Sequence, residues 1–386
     1  MYQNVSERAV FRRVLGKWGK HMAKKRMQVF RVMPGTKLLE DVYYNNELII
    51  SKDTILNENM ILHLKRYGIY QVMVEVEDDN DEEDFREAEN NDIYSQRAYE
   101  LKKSKEFQKF EKTFAENIAH VEKIFLGAVS NEEEIRPDIL LEQVDELLSN
   151  GRNGLHIIEM MNCVKQYDDI TFAHCLNVGM LSNVIGKWLG KSTEELQILT
   201  LAGILHDIGK LMIPAEIIDK KGKLTEEEYT LVKTHPKHGY NILKNQNLDE
   251  RVKNAALMHH ERMDGSGYPM RLNKNSIENF AKIVSIADVY DAMTATRSYR
   301  KGMCPFKAIS IMEEDGFQKY DAEYLLTFLQ NTAEAYINMP VRMSDDTKGK
   351  IIKINPCWVS KPLVLTEKGF VDLSENRELT IQEIIV

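Results

Sequence analysis

The sequence predicts a mainly α protein, a helical bundle at residues 136–338 with a small α+β module before it and a short antiparallel β segment after it. Three observations carry that expectation. From Arg136 to about Asn338, apolar residues recur at the three- and four-residue spacing of amphipathic helices, with only short loops between them. Before residue 77 and beyond Pro340, the pattern shortens to strand-like runs set off by turn residues. No repeat of fixed period cuts across these three regions.

Composition narrows the function classes. A chain of 386 residues, 43% of them hydrophobic, can bury a large core in two or three domains. No apolar run approaches the roughly 18 residues of a membrane span, and no secretory pattern is present, so a cytoplasmic location is expected. The four cysteines, Cys163, Cys175, Cys304 and Cys357, form no CxxC spacing and no disulfide framework. A net charge of −9 argues against general nucleic-acid binding, and an anionic ligand would need a local positive site.

Residues 1–27 hold eight Lys/Arg against one Glu, with Phe11, Val14, Leu15 and Trp18 at helical spacing. They read as a basic tail, with a membrane-surface helix as the competing reading. Residues 28–76 alternate about an Asn45-Asn46 turn, then offer Asn57 as cap of a short helix ended by Gly68, then a strand through IYQVMVEV. This is the α+β module, and it carries no cofactor motif. Residues 77–92 hold ten Asp/Glu against one Arg, the composition of a solvated linker, and open a connecting segment that runs to residue 135. Within it, Phe107, Phe110, Phe114, Ile118 and Val121 form one apolar stripe, from which a homodimer through residues 93–133 is expected. At the far end, residues 339–386 carry the runs KGKIIKIN, LVLTEKGFVDLS and LTIQEIIV, read as a small antiparallel sheet.

The chemistry lies in the bundle. ILTLAGILHDIGKLMIP (198–214) reads as one buried helix ended by Pro214, and it puts His206, Asp207 and Lys210 into an apolar setting. Buried charges need a partner or a metal. Other ionisable residues share such faces. His174 begins a face continued by Val178, Leu181, Ile185 and Trp188, and Asp288 lies on a helix whose Phe280, Val284, Ala287 and Asp291 share one side. His235 follows a capping box at Thr225 and Glu228 and precedes a breaking Pro236, while His259 and His260 are adjacent near a helix end. Any one of these His would ordinarily be a satisfied core residue. Five imidazoles out of ten in the chain, with two carboxylates among them, are not explained that way. A set without thiolate suits Fe, Mn, Zn or Ni. Seven ligands exceed one open site and suit two ions about 3.5–4 Å apart that share a carboxylate.

HDIGK (206–210), HPKHG (235–239), HHERMDGSGYP (259–269) and IADVYDAMTATRSYR (286–300) together resemble the HD phosphohydrolase superfamily, and HHERMDGSGYP resembles the signature of its HD-GYP subgroup. The likeness covers about residues 140–335. It implies an all-helical HD-type catalytic bundle and a metal-dependent phosphodiesterase that opens cyclic di-GMP by a bimetal-activated hydroxide, giving linear pGpG, or GMP where a second cut follows. By the same resemblance the first of two divalent ions, Fe or Mn ahead of Zn or Ni, is held by His174, His206, Asp207 and Asp288. The second takes Asp207 as bridge with His235, His259 and His260. Lys210 is implied as a catalytic contact to a phosphate oxygen, and Gly267, Tyr268, Arg297 and Arg300 as substrate contacts. Arg262, Asp264 and Asp291 are implied as supports that orient ligands or the GYP loop.

Two positions depart from the family pattern. Ile170 stands where some members carry a Glu that recruits a third metal, so two ions are expected; Thr296-Arg297-Ser298 replaces an Asp-Arg-Pro in the rim. Two other classes compete with the phosphodiesterase. One is a catalytically weak cyclic-dinucleotide sensor, and the other an HD hydrolase of another phosphoester, such as a different cyclic dinucleotide. Product formation by metal-loaded protein separates the first, and competition between substrates the second.

Overall fold

The computed structural model describes residues 22–29, 32, 35–44, 47–57, 60, 61, 64, 69, 71–77, 101–130, 133–164, 170–220, 222–295, 302–376 and 378–385. The chain divides into two compact units, Met1–Asn91 and Asp92–Val386. Among the described residues, no helix is long and apolar enough to cross a membrane.

In the first unit, β1 (Met22–Gln28), β5 (Gln71–Glu77) and β2 (Lys37–Leu38) pair antiparallel in the order β1-β5-β2, while β3 (Val42–Tyr44) and β4 (Glu47–Ile50) form a separate hairpin. The boundary expected between residues 27 and 28 is corrected by this sheet. β1 begins at Met22 and pairs along its whole length with β5, whose backbone would otherwise present a bare edge. The core is aliphatic, with Leu38, Leu56, Leu64, Val72 and Val74 buried. Asn57 caps as expected, its side chain accepting from Met60 N at 2.9 Å. The Asn45-Asn46 turn, Gly68, the first 21 residues and all of the acidic run except Glu77 lie outside the described residues.

The second unit holds twelve helices among its described residues. They are α1 (Lys105–Ser130), α2 (Pro137–Ser149), α3 (Gly154–Cys163), α4 (Ile170–Trp188), α5 (Thr193–Leu205), α6 (Ala215–Ile218), α7 (Glu226–Val232), α8 (His235–Leu243), α9 (Glu250–Met258), α10 (Asn279–Thr294), α11 (Pro305–Lys319) and α12 (Ala322–Glu334). The stripe on α1 is buried, but inside this chain's own core with Leu140, Val144 and Leu147 of α2. Phe125 of α1 meets Phe172 of α4 edge to face at 5.6 Å. The dimer expectation therefore loses its basis, because the apolar surface that suggested a seam is covered intramolecularly.

α5 opens on a full capping box between Ser192 and Glu195 and buries every residue from Leu199 to Leu205. The single helix expected over 198–214 is corrected here. The α-helix ends at Leu205, and after His206 and Asp207 the chain tightens into a 3₁₀ turn at Ile208–Met212. Gly209 explains the break: a Cβ there would lie 2.0 Å from His235 O and 2.4 Å from Gly239 N, so the turn packs backbone to backbone against α8. Pro236 likewise opens α8 in its first turn instead of breaking the chain.

Beyond α12 lie β6 (Pro340–Met343), β7 (Lys348–Lys353), β8 (Leu363–Thr366), β9 (Gly369–Asp372) and β10 (Ile381–Ile384), an antiparallel sheet ordered β10-β6-β7-β8-β9. Three of the four pairings join strands adjacent in sequence, and β10 returns to β6. Val341, Ile351, Val364 and Ile381 belong to the same buried cluster as the helices.

Candidate metal centre

Five helices bring the site together. His174 comes from α4, His206 and Asp207 from the end of α5, His235 from the start of α8, His259 and His260 from the end of α9, and Asp288 from α10. All are buried except His260, which is partly exposed at 18% of its side chain.

Asp207 lies between two sets of imidazoles. Its Oδ2 is 3.6 Å from His174 Nε2 and 3.2 Å from His206 Nε2; its Oδ1 is 3.2 Å from His235 Nε2 and 3.7 Å from His259 Nε2. Two potential ligand groups result, His174–His206–Asp207 and Asp207–His235–His259–His260, with the one carboxylate common to both. Asp288 spans the same space, its Oδ1 3.1 Å from His174 Nε2 and 3.9 Å from His206 Nε2, its Oδ2 3.9 Å from His260 Nδ1.

The outward nitrogens fix how these rings present themselves. His206 Nδ1 lies 2.7 Å from Gly203 O, His235 Nδ1 2.7 Å from Val232 O, and His259 Nδ1 3.0 Å from Ala256 O. A carbonyl can only accept, so each Nδ1 carries the hydrogen and each Nε2 turns a lone pair inward. Such backbone anchors orient ligating imidazoles. His174 Nδ1 is anchored instead by Asp291 Oδ2 at 2.6 Å, and Asn177 donates to the other Asp291 oxygen at 2.9 Å.

These residues fit a cation. His206 Nε2 and Asp207 Oδ1 are buried without a hydrogen-bond partner among the described residues, a costly state for polar atoms in an apolar core. His235 Nε2 and His259 Nε2 lie 3.2 Å apart, two bare lone pairs facing each other unless a positive charge stands with them. Burial and neighbouring imidazoles lower His259 to about 4, and burial beside the adjoining imidazole of His259 holds His260 well below its ordinary value, so both are neutral as ligation requires. Burial opposes the charge on Asp207 and Asp288, yet the surrounding His, and Lys210 at Asp207, keep both carboxyls well below the usual range. His174 is the exception: burial lowers it, but hydrogen bonds to Asp288 and Asp291 prevail and raise it to about 9.

Around the centre, Lys210 Nζ pairs with Asp207 Oδ2. Burial lowers its pKa, but the charges of Asp207 and Asp288 prevail and raise it. The Tyr268 ring stacks on His260 at 4.6 Å and 29°. Gly267 allows this approach, since a Cβ there would meet Arg262 N at 2.4 Å and Glu261 Cα at 2.5 Å. Of the three residues read as supports, Asp291 alone reaches a ligand. Asp264 is exposed and bonds Ser266 within its own turn, and Arg262 stacks over Tyr320 with 4.7 Å to the ring centroid. Asp264 thus braces the GYP loop, accepting from Ser266 N and Oγ, rather than a ligand, and the Arg262 guanidinium lies on a tyrosine. Arg297 and Arg300 lie outside the described residues.

Two supporting residues were missed. Asn177 lies one turn after His174 on α4, a spacing that was visible. Glu261, 3% exposed, accepts from Met270 N at 2.7 Å and Leu272 N at 2.9 Å, which ties the GYP loop to the residue after His260. Its place inside HHE was the only signal.

Residues 153–324 match the family model described as HD domain. The family expected from HDIGK and HHERMDGSGYP is thus the family found. The chain is 31% identical over 54% of its length to a cyclic di-GMP phosphodiesterase of Pseudomonas aeruginosa, covering 51% of that protein. It is 34% identical over 50% of its length to the cyclic di-GMP phosphodiesterase response regulator RpfG of Xanthomonas campestris, covering 52% of it. A 3'3'-cGAMP-specific phosphodiesterase of Vibrio cholerae is 35% identical over 46% of the chain and 41% of that protein. The chain therefore spans about half the length of the curated relatives it matches.

Proposed function

We propose that this protein is a metal-dependent phosphodiesterase that opens a 3′–5′ phosphodiester bond of cyclic di-GMP, giving linear pGpG. One observation carries the reading: a single buried carboxylate, Asp207, presents its two oxygens to two separate histidine sets, and two buried atoms there have no hydrogen-bond partner among the described residues. His174, His206, Asp207 and Asp288 would hold one divalent ion and Asp207, His235, His259 and His260 a second, the thiolate-free donors suiting Fe, Mn, Zn or Ni. Two such cations supply Lewis acidity, lowering the pKa of water and neutralising phosphoryl charge.

The chain's own residues do the rest. Asp207 stays ionised and keeps Lys210 charged beside the centre, where the ammonium reaches an approaching phosphate oxygen. Carbonyls of Gly203, Val232 and Ala256 hold their imidazoles in one tautomer, so no ring must reorient when substrate arrives. Tyr268, stacked on His260, offers an aromatic surface for a guanine base.

The V. cholerae relative favours one second reading, 3'3'-cGAMP as substrate. Purified protein loaded with Fe(II) or Mn(II) should convert cyclic di-GMP to pGpG, followed by mass spectrometry, and in direct competition should prefer it to 3'3'-cGAMP. Binding without product would make the protein a sensor, and preferential loss of 3'3'-cGAMP would replace the substrate.

A further inference from the structure

Arg262 carries a charge that the metal centre does not use. It follows His260 by two residues and precedes Tyr268 by six. Because Gly267 packs against the Arg262 backbone, the two side chains leave neighbouring parts of one loop. The guanidinium lies over the ring of Tyr320, which is itself 7% exposed, so its plane is held. Its Nη1 is buried and has no hydrogen-bond partner among the described residues. Neighbouring carboxylates are engaged elsewhere: Asp264 bonds Ser266, and Glu261 receives the backbone of Met270 and Leu272. A buried donor of this kind is destabilising until an acceptor arrives from outside the chain.

A cyclic dinucleotide brings such an acceptor. Its ring contains two phosphodiesters, and while one lies at the metal centre beside Lys210, the other remains anionic within a chain of net charge −9. A planar guanidinium matches two phosphate oxygens at once, which an ammonium does not. We infer that Arg262 receives the second, uncleaved phosphodiester of the substrate. This rests on the phosphodiesterase reading and adds to it a contact that selects dinucleotides containing two phosphodiesters.

The test compares wild type, Arg262→Gln and Arg262→Lys as metal-loaded protein, with metal content measured alongside. If wild type turns over cyclic di-GMP, its KM is read; if it binds without turnover, Kd is read by calorimetry, so the functional reading can fail while this inference is still judged. The Gln variant should raise KM or Kd by about tenfold or more, with kcat within about threefold and metal content unchanged. The Lys variant, which keeps charge without the fork, should fall between. A Gln variant within twofold of wild type would overturn the inference. So would metal loss alongside the loss of affinity, since Arg262 would then be supporting His260. A wild type that neither binds nor cleaves cyclic di-GMP removes both readings together.

Discussion

Among single residues, Asp207 has the widest reach, because each of its oxygens belongs to a different ligand group. Asp207→Ala should therefore lose both ions, where removal of a histidine weakens one. Plasma mass spectrometry should find metal falling from about two per chain to near zero, with turnover reduced by at least about a thousandfold. Retention of one equivalent of metal would show that the carboxylate does not bridge. The ligand types could be read from the sequence, since burying His and Asp on apolar faces leaves few explanations. Their anchors could not. That Gly203, Val232 and Ala256 supply the accepting carbonyls, and that Asp291 reaches His174 while Asp264 turns to solvent, follows from where chain segments meet in space.

At the level of elements, the join between α5 and α8 sets the distance between the two halves of the centre. Gly209 sits in that join with room for no side-chain carbon. Gly209→Ala would force backbone against backbone, displacing the start of α8 and His235 with it. A destabilisation of about 1–3 kcal/mol is expected by thermal melting, with metal affinity falling even where the variant stays folded. Unchanged metal affinity would show that α8 is free to slide. This join explains why the break after Leu205 was not legible: apolar residues continue at Ile208, Leu211, Met212 and Ile213 with no proline before Pro214, so periodicity alone extends the helix. The α1 stripe shows the converse, since a pattern identifies a face that must be buried but not the surface that buries it. β6 escaped notice because Pro340 opens it and Arg342 interrupts its alternation.

For the whole molecule, the centre links folding to pH and metal. His174, raised to about 9 from an ordinary 6.5, contributes stability that is complete below pH 6.5 and is lost as pH rises through 9. His259, lowered to about 4 chiefly by burial, works in the opposite sense: its contribution is complete above pH 6.5 and is lost as pH falls through 4. Asp207 and Asp288, held well below 3.8, extend the loss on the acid side. These limbs meet near pH 6.5, and the alkaline one corresponds to on the order of 3 kcal/mol. Chelator-treated protein should therefore melt highest near pH 6.5 and several degrees lower by about pH 9. A bound cation replaces the proton on His174, because a ligating imidazole must be neutral, so metal-loaded protein should keep its Tm across the same alkaline range. The difference between the two profiles isolates the effect of the centre from ordinary alkaline unfolding, which both forms share. Parallel profiles above pH 6.5 would mean that the His174 proton and the metal do not compete for one site.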